Sequence, residues 1–298
     1  MLNIFFSFDR SRHSGIASSL VIIFVACLAN KSLAAPLPTH SAVPGGVAVI
    51  PVGLCEDGQP KITFYDRPVA VVCDRGVWVT TVGIPLSAKA GDHNLSLELM
   101  DGAQVTVAFT VTDKQYETQH LTIKNKRHVN PNANDMDRIV ADKKRIGRAF
   151  RHWDDVRKPD FDFIAPVDGP RSSSFGLRRI LNGQPRSPHS GMDIAAPNGT
   201  PIIAPAAGEI TEVGDYFFNG RSVFVDHGHN VVTMYCHLSE IDVEVGDQVE
   251  QGELIGKVGS TGRVTGAHLH FTVSLNNTRV DPALFLSQIE AEPQSDNY

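Results

Sequence analysis

Six of the twelve histidines in this 298-residue chain fall between positions 189 and 270. Imidazole is the commonest protein ligand for a metal ion, and its ordinary pKa lies close to neutral pH, so this clustering directs attention to metal-assisted chemistry. His189 and Asp193 form a His-x-x-x-Asp pair. Pro188 before it, Gly191 within it and Ala196-Pro197 after it disfavour a helix, which puts the pair on a turn running into a strand. Both side chains can reach one ion there, although such a pair alone is also a plain hydrogen bond. His268-Leu269-His270 is a sharper signal. On a strand, the period of two puts both imidazoles on one face. Leu269 lies on the other, and Phe271, Val273 and Leu275 continue that face into a core. The bland reading is two surface histidines on an edge strand. His237 closes the apolar run Val231–Cys236, either as a packed structural group or as a ring projecting into a cleft. His227 and His229 flank Gly228 in what reads as a hairpin turn, and are expected to support that turn rather than hold a metal.

Together these residues match what a catalytic zinc needs. Such an ion takes three protein ligands and keeps one position for water, whose pKa falls to about 7. It also polarises a scissile carbonyl. Two imidazoles and one carboxylate supply the ligands. No His-Glu-x-x-His motif is present, so the proton acceptor must come from elsewhere. Histidine suits that role, and His237 and the strand histidine that is not a ligand are the candidates.

The elements that position these residues are mostly strands. From Gly46 to about Lys124, short β-runs such as Val47–Ile50, Val69–Val72, Val77–Val82, Leu95–Leu99 and Val105–Phe109 alternate with turn residues. This pattern predicts a small N-terminal β-sandwich over 46–124. Residues 35–45, rich in Pro, Ala and Gly, read as a linker. Over 125–160 the character changes. Asn134-Asp135 can cap a helix, and Met136, Ile139, Val140, Ile146, Phe150 and Trp153 recur at helical spacing. This connecting amphipathic helix is expected to pack its stripe on a domain. Residues 161–287 are β-rich and studded with glycine, which predicts an antiparallel β domain carrying the histidines. The fold class is therefore mainly β. The segment 288–298 reads as a polar tail.

The first 34 residues read as a secretory signal peptide: Arg10 and Arg12, then the uncharged run Gly15–Ala29, then Ser32-Leu33-Ala34 as a cleavage site. The apolar run is short for a membrane span. A retained anchor and lipidation at Cys27, after Phe24-Val25-Ala26, are the alternatives. An exported protein, periplasmic and in those cases membrane-associated, is expected. Export permits a disulfide between Cys55 and Cys73, against the alternative of two small buried thiols, while Cys236 reads as packed core. With 42% hydrophobic and 20% charged residues the chain is globular, and a net charge of -6 offers no basic surface for nucleic acid.

From Pro166 to about Phe285 the chain resembles the lysostaphin/LytM-type zinc endopeptidases. The matching stretches are Ser174–Arg178, His189–Ile194, Tyr235–Leu238 and Gly259–Gly266 running into His268–Phe271. The region from Gly46 to about Trp153 is similar to the N-terminal portion of exported Gram-negative members. The resemblance implies that His189, Asp193 and His270 bind Zn2+, and that His237 and His268 flank the open side to activate water or steady the oxyanion. It implies hydrolysis of peptide cross-links in peptidoglycan, between D-alanine and meso-diaminopimelate in the Gram-negative relatives. Ala267 departs from the proline many relatives carry there, without removing a ligand. A non-catalytic regulator of other wall hydrolases is the alternative, but such relatives lack one or more of the five residues present here. An N-terminal domain that shields the zinc cleft, or that binds glycan, is a further expectation. Gly246–Gly256 also resembles the strands of lipoyl carrier domains, but Lys257 sits beyond the turn where a carrier's lysine would be.

Overall fold

The structure, a computed structural model, describes residues 36–286. The expected leader, Cys27 and the polar tail lie outside the described residues. The C-terminal half is built on an eight-stranded antiparallel sheet. Its order is Gln248–Val249, Gly208–Tyr216, Gly220–Asp226, Val232–Leu238, Leu269–Leu275, Met192–Ile194 and Arg171–Ser173, with Thr278–Val280 paired to Leu269–Leu275. One face buries Tyr235, Phe271, Val273, Ile194 and Val223 against a small sheet containing Ile202 and Ile255. Each such side chain contributes about 1.5–3 kcal/mol by leaving water. The opposite face carries the polar residues of the site at one end and an apolar floor at the other.

The N-terminal half is a sandwich, as its alternating strands predict. A three-stranded sheet (Val47–Leu54, Val77–Gly83, Ala70–Asp74) packs on a four-stranded sheet (Arg67–Pro68, Lys61–Phe64, Gly91–Glu98, Gln104–Val111). Ile50, Phe64, Val82, Leu95 and Leu97 fill the space between them. A disulfide joins Cys55 to Cys73, and Cys236 is a free buried thiol. The sandwich docks on the larger sheet through an amide clamp: Gly83 N donates to Asn276 Oδ1 at 2.7 Å, and Asn276 Nδ2 donates to Gly83 O at 3.1 Å.

The connecting helix α1 spans Ala133–Ala149. Its cap is Asn132 rather than Asn134-Asp135. The Asn132 side chain accepts from Asp135 N while Asp135 accepts from Asn132 N, a reciprocal cap that saturates two otherwise orphaned donors. Ile146, Ala149 and Phe150 pack on Phe224, Val232, Met234 and Cys236 of the sheet. Met136 and Val140 do not join them and stay 46% and 48% exposed. Arg138 and Arg145 reach Asp215 O and Val213 O and fix the rotation of the helix with those two outward. Trp153 lies beyond the helix and stacks on His229.

One element departs from the expected grouping. Thr118–Leu121, read with the N-terminal sandwich, instead pairs in parallel with Arg178–Leu181 of the C-terminal half. Asn182 makes this stick. Its side chain accepts from Ile123 N at 2.8 Å and donates to Ile123 O at 3.0 Å. Arg186 adds a bond to Val129 O at 2.8 Å.

Candidate metal centre

His189 sits on the turn before Met192–Ile194, and Asp193 lies within that strand. Asp193 and His270 are direct partners across the sheet, so both point to the same face. Gly191 allows the approach: a Cβ there would lie 2.4 Å from Phe271 O and 2.8 Å from the His270 ring. His189 Nε2 lies 3.0 Å from Asp193 Oδ1 and 3.0 Å from His270 Nδ1, and the last two atoms are 2.7 Å apart. Three buried donor atoms thus converge on one point. Around a tetrahedral zinc with ligands at about 2.0–2.2 Å, neighbouring donors stand roughly 3.3–3.6 Å apart, so a spread of about half an ångström admits the ion.

The surroundings fix which nitrogen is available. His189 Nδ1 donates to Ser174 O at 2.7 Å, which leaves Nε2 as the lone-pair atom facing Asp193. His270 Nε2 meets Thr272 Oγ1 at 3.2 Å, which frees Nδ1 in the same way. Such outer contacts orient a ligand and set its tautomer. Burial pushes the Asp193 carboxyl up, but His189 and His270 outweigh it and hold that group well below the usual range. The donor set is one carboxylate and two imidazoles, chemistry that suits zinc.

His237 and His268 stand beside the three donors. Simple alternation puts His237 on the core face with Tyr235. Its φ of +69° turns the ring over instead, to 5.0 Å from the His268 ring and 5.9 Å from that of His270. Nδ1 of His237 donates to Thr261 O at 2.8 Å, and Nδ1 of His268 donates to Gly266 O at 3.0 Å. Both rings thus keep a free Nε2, and that of His268 lies 3.8 Å from Asp193 Oδ1. Burial, with His270 and His268 adding to it, pulls His237 down to about 3, so it is neutral at physiological pH. His227 and His229 stay outside the cluster. His227 is a buried ring bonded to Ala207 O and Thr233 Oγ1.

Residues 187–282 match the model of peptidase family M23, and residues 40–114 match that family's N-terminal domain. A crystal structure from Pseudomonas aeruginosa, assigned to peptidase M23, shares 42% identity and a TM-score of 0.68, covering 83% of this chain and 95% of that one. The chain belongs to peptidase family M23. Among curated relatives of this M23 chain, peptidoglycan DD-endopeptidase ShyC of Vibrio cholerae is 40% identical over 121 residues, 40% of this chain and 28% of its own. DD-carboxypeptidase/endopeptidase Mpg of Neisseria meningitidis is 44% identical over 111 residues, 37% of this chain and 26% of its own. The match therefore spans about a quarter of each of these relatives.

In this M23 chain the five histidine and aspartate positions read from sequence share one cleft, but sequence reasoning missed its remaining walls. Leu121 and Ile123 of the strap Thr118–Ile123 line it together with Arg179, Leu181 and Arg263, leaving a cavity of about 50 Å³. Arg179 donates to Asp193 Oδ2 at 3.1 Å. A signal for it existed: Arg178-Arg179 lies on a strand, where neighbouring side chains point opposite ways, so one of the two had to face inward.

Proposed function

We propose that the chain is an exported zinc endopeptidase that hydrolyses peptide cross-links of peptidoglycan, at the bond between D-alanine and meso-diaminopimelate, in the periplasm. The observation that carries this reading is the convergence of His189, Asp193 and His270, with two further imidazoles on the open side. Family membership and relatives named as peptidoglycan DD-endopeptidases support the substrate. Zinc, when bound by those three residues, supplies an activated water and polarises the carbonyl. His237 and His268, each held through Nδ1, present Nε2 to the open side, where the pair assists the water and steadies the oxyanion. Thr272 and Ser174 keep the ligand tautomers fixed throughout.

The strap Thr118–Ile123 is the inhibitory contact of the N-terminal region with the cleft. Leu121 and Ile123 narrow the cleft beside Asp193, His237 and His268, and in this reading the strap moves aside as a cross-link enters. Mass spectrometry of muropeptides released from sacculi tests the reading. The zinc-loaded protein should release monomers from cross-linked dimers, and a chelator or His270→Ala should abolish release. A folded His270→Ala protein that still cuts, or that still holds stoichiometric zinc, would overturn the ligand assignment.

A further inference from the structure

Two guanidinium groups line the cleft beside the donor cluster. Arg179 enters from the strand Arg178–Leu181 and Arg263 from the turn before His268, and both line the cavity that Asp193, His237 and His268 line. Arg179 gives one N–H to Asp193 Oδ2, and its Nε–H is buried without a partner. Arg263 lies over the Phe218 ring, 4.4 Å from its centre, and reaches a carbonyl, His128 O, at 3.5 Å. Among the described residues no carboxylate forms an ion pair with Arg263, and the only one paired with Arg179 is Asp193, which belongs to the metal donors. Burial, and then the charges of Arg179 and Arg186, pull Arg263 down to about 10, so it stays charged while lacking a counter-ion. Guanidinium groups present fixed forks of donors that match a carboxylate, and such charge-assisted bonds are about twice as strong as neutral ones.

The proposed substrate carries the matching group. In a cross-link made through D-alanine, the scissile nitrogen is attached to a carbon that also bears a free carboxylate. The same arrangement occurs at the end of an uncross-linked stem that terminates in D-alanyl-D-alanine. We propose that Arg179 and Arg263 form a carboxylate subsite beside the metal donors, so that this chain selects bonds whose leaving amine carries an adjacent free carboxylate. This rests on the zinc-peptidase reading above. Each cleavage consumes one water: the amide C–N bond breaks, the hydroxyl goes to the carbonyl carbon and the proton to the leaving nitrogen, with no change in oxidation state.

The test compares two stem pentapeptides ending in D-alanyl-D-alanine, one as the free acid and one as the C-terminal carboxamide. The zinc-loaded full chain should cleave the free acid with kcat/KM about 10- to 100-fold higher, the range set by one or two charged hydrogen bonds. Movement of the strap is common to both peptides and cancels in the ratio. Arg263→Gln should bring the ratio to within roughly threefold of unity, and Arg263→Lys, which keeps the charge, should restore part of it. Equal rates in the unmodified chain, or an unchanged ratio in a folded Arg263→Gln variant, overturn the subsite. Calorimetric binding of both peptides to the metal-free chain separates the two claims. Preference for the free acid in binding, with no cleavage of either peptide or of sacculi by the loaded chain, leaves the subsite standing and sinks the hydrolase reading. Equal binding together with equal cleavage removes the subsite alone.

Discussion

Replacing Asn182 with alanine should release the strap and raise activity. The Asn182 amide makes two bonds to the backbone of Ile123, at 2.8 and 3.0 Å, and both are part-buried. A hydrogen bond of this kind contributes about 0.5–1.5 kcal/mol net, and partial exposure favours the lower end. Loss of the pair should shift the closed-to-open balance by about 1–2 kcal/mol, or roughly 5- to 30-fold in the open population. Release of soluble muropeptides from purified sacculi reads this directly if, as proposed, only open molecules accept a cross-link. The gain should saturate once most molecules are open. Asn276→Ala is the control: it removes a two-bond amide clamp of the same kind, on Gly83, at the sandwich interface. That variant should lower the melting temperature without raising the rate. A folded Asn182→Ala protein with unchanged or reduced release would refute the reasoning, as would equal activation by Asn276→Ala.

Two further expectations concern stability. Burial pulls His227 down to about 4, below the value near 6.5 it regains on unfolding. Between those values the unfolded chain binds a proton that the native one refuses. Its contribution is therefore complete above pH 6.5 and is lost as pH falls toward 4, by up to about 3 kcal/mol. Urea midpoints at pH 7 and pH 4.5 should differ less in His227→Asn than in the parent, and parallel pH dependence in the two would sink this. The disulfide between Cys55 and Cys73 closes a separation of 18 residues, worth about 3 kcal/mol. The paired Cys→Ser variant should melt at lower temperature while keeping its rate per folded molecule, which thermal melting and the sacculus assay check together.

What the sequence made legible follows its periodicities. The strands of the sandwich alternate cleanly, and Leu269, Phe271, Val273 and Leu275 fall on the core face that their spacing requires. The two halves of the His189–Asp193–His270 cluster were visible as short-range patterns, His189-x-x-x-Asp193 and His268-Leu269-His270, while their meeting across the sheet was implied by the family resemblance. The strap was not readable. Thr118–Leu121 is short and mixed in polarity, and its parallel partner is about 60 residues further along the chain, where no local pattern reaches. The helix start slipped by two residues because Asn132 and Asn134 are equally good cap types, and the reciprocal bond to Asp135 decides between them. His237 defeats alternation outright. A histidine at positive φ is rare enough that a period-two reading assigns its ring to the wrong side of the sheet.

The strap and the cleft belong to one polypeptide, and this governs how the site responds to its surroundings. The segment is tethered on one side to the sandwich and on the other to α1, so its local concentration at the cleft is set by short connections and lies in the millimolar range or above. If the strap closes the cleft as proposed, dilution would not strip it away, and substrate would have to outcompete a rival that never diffuses off.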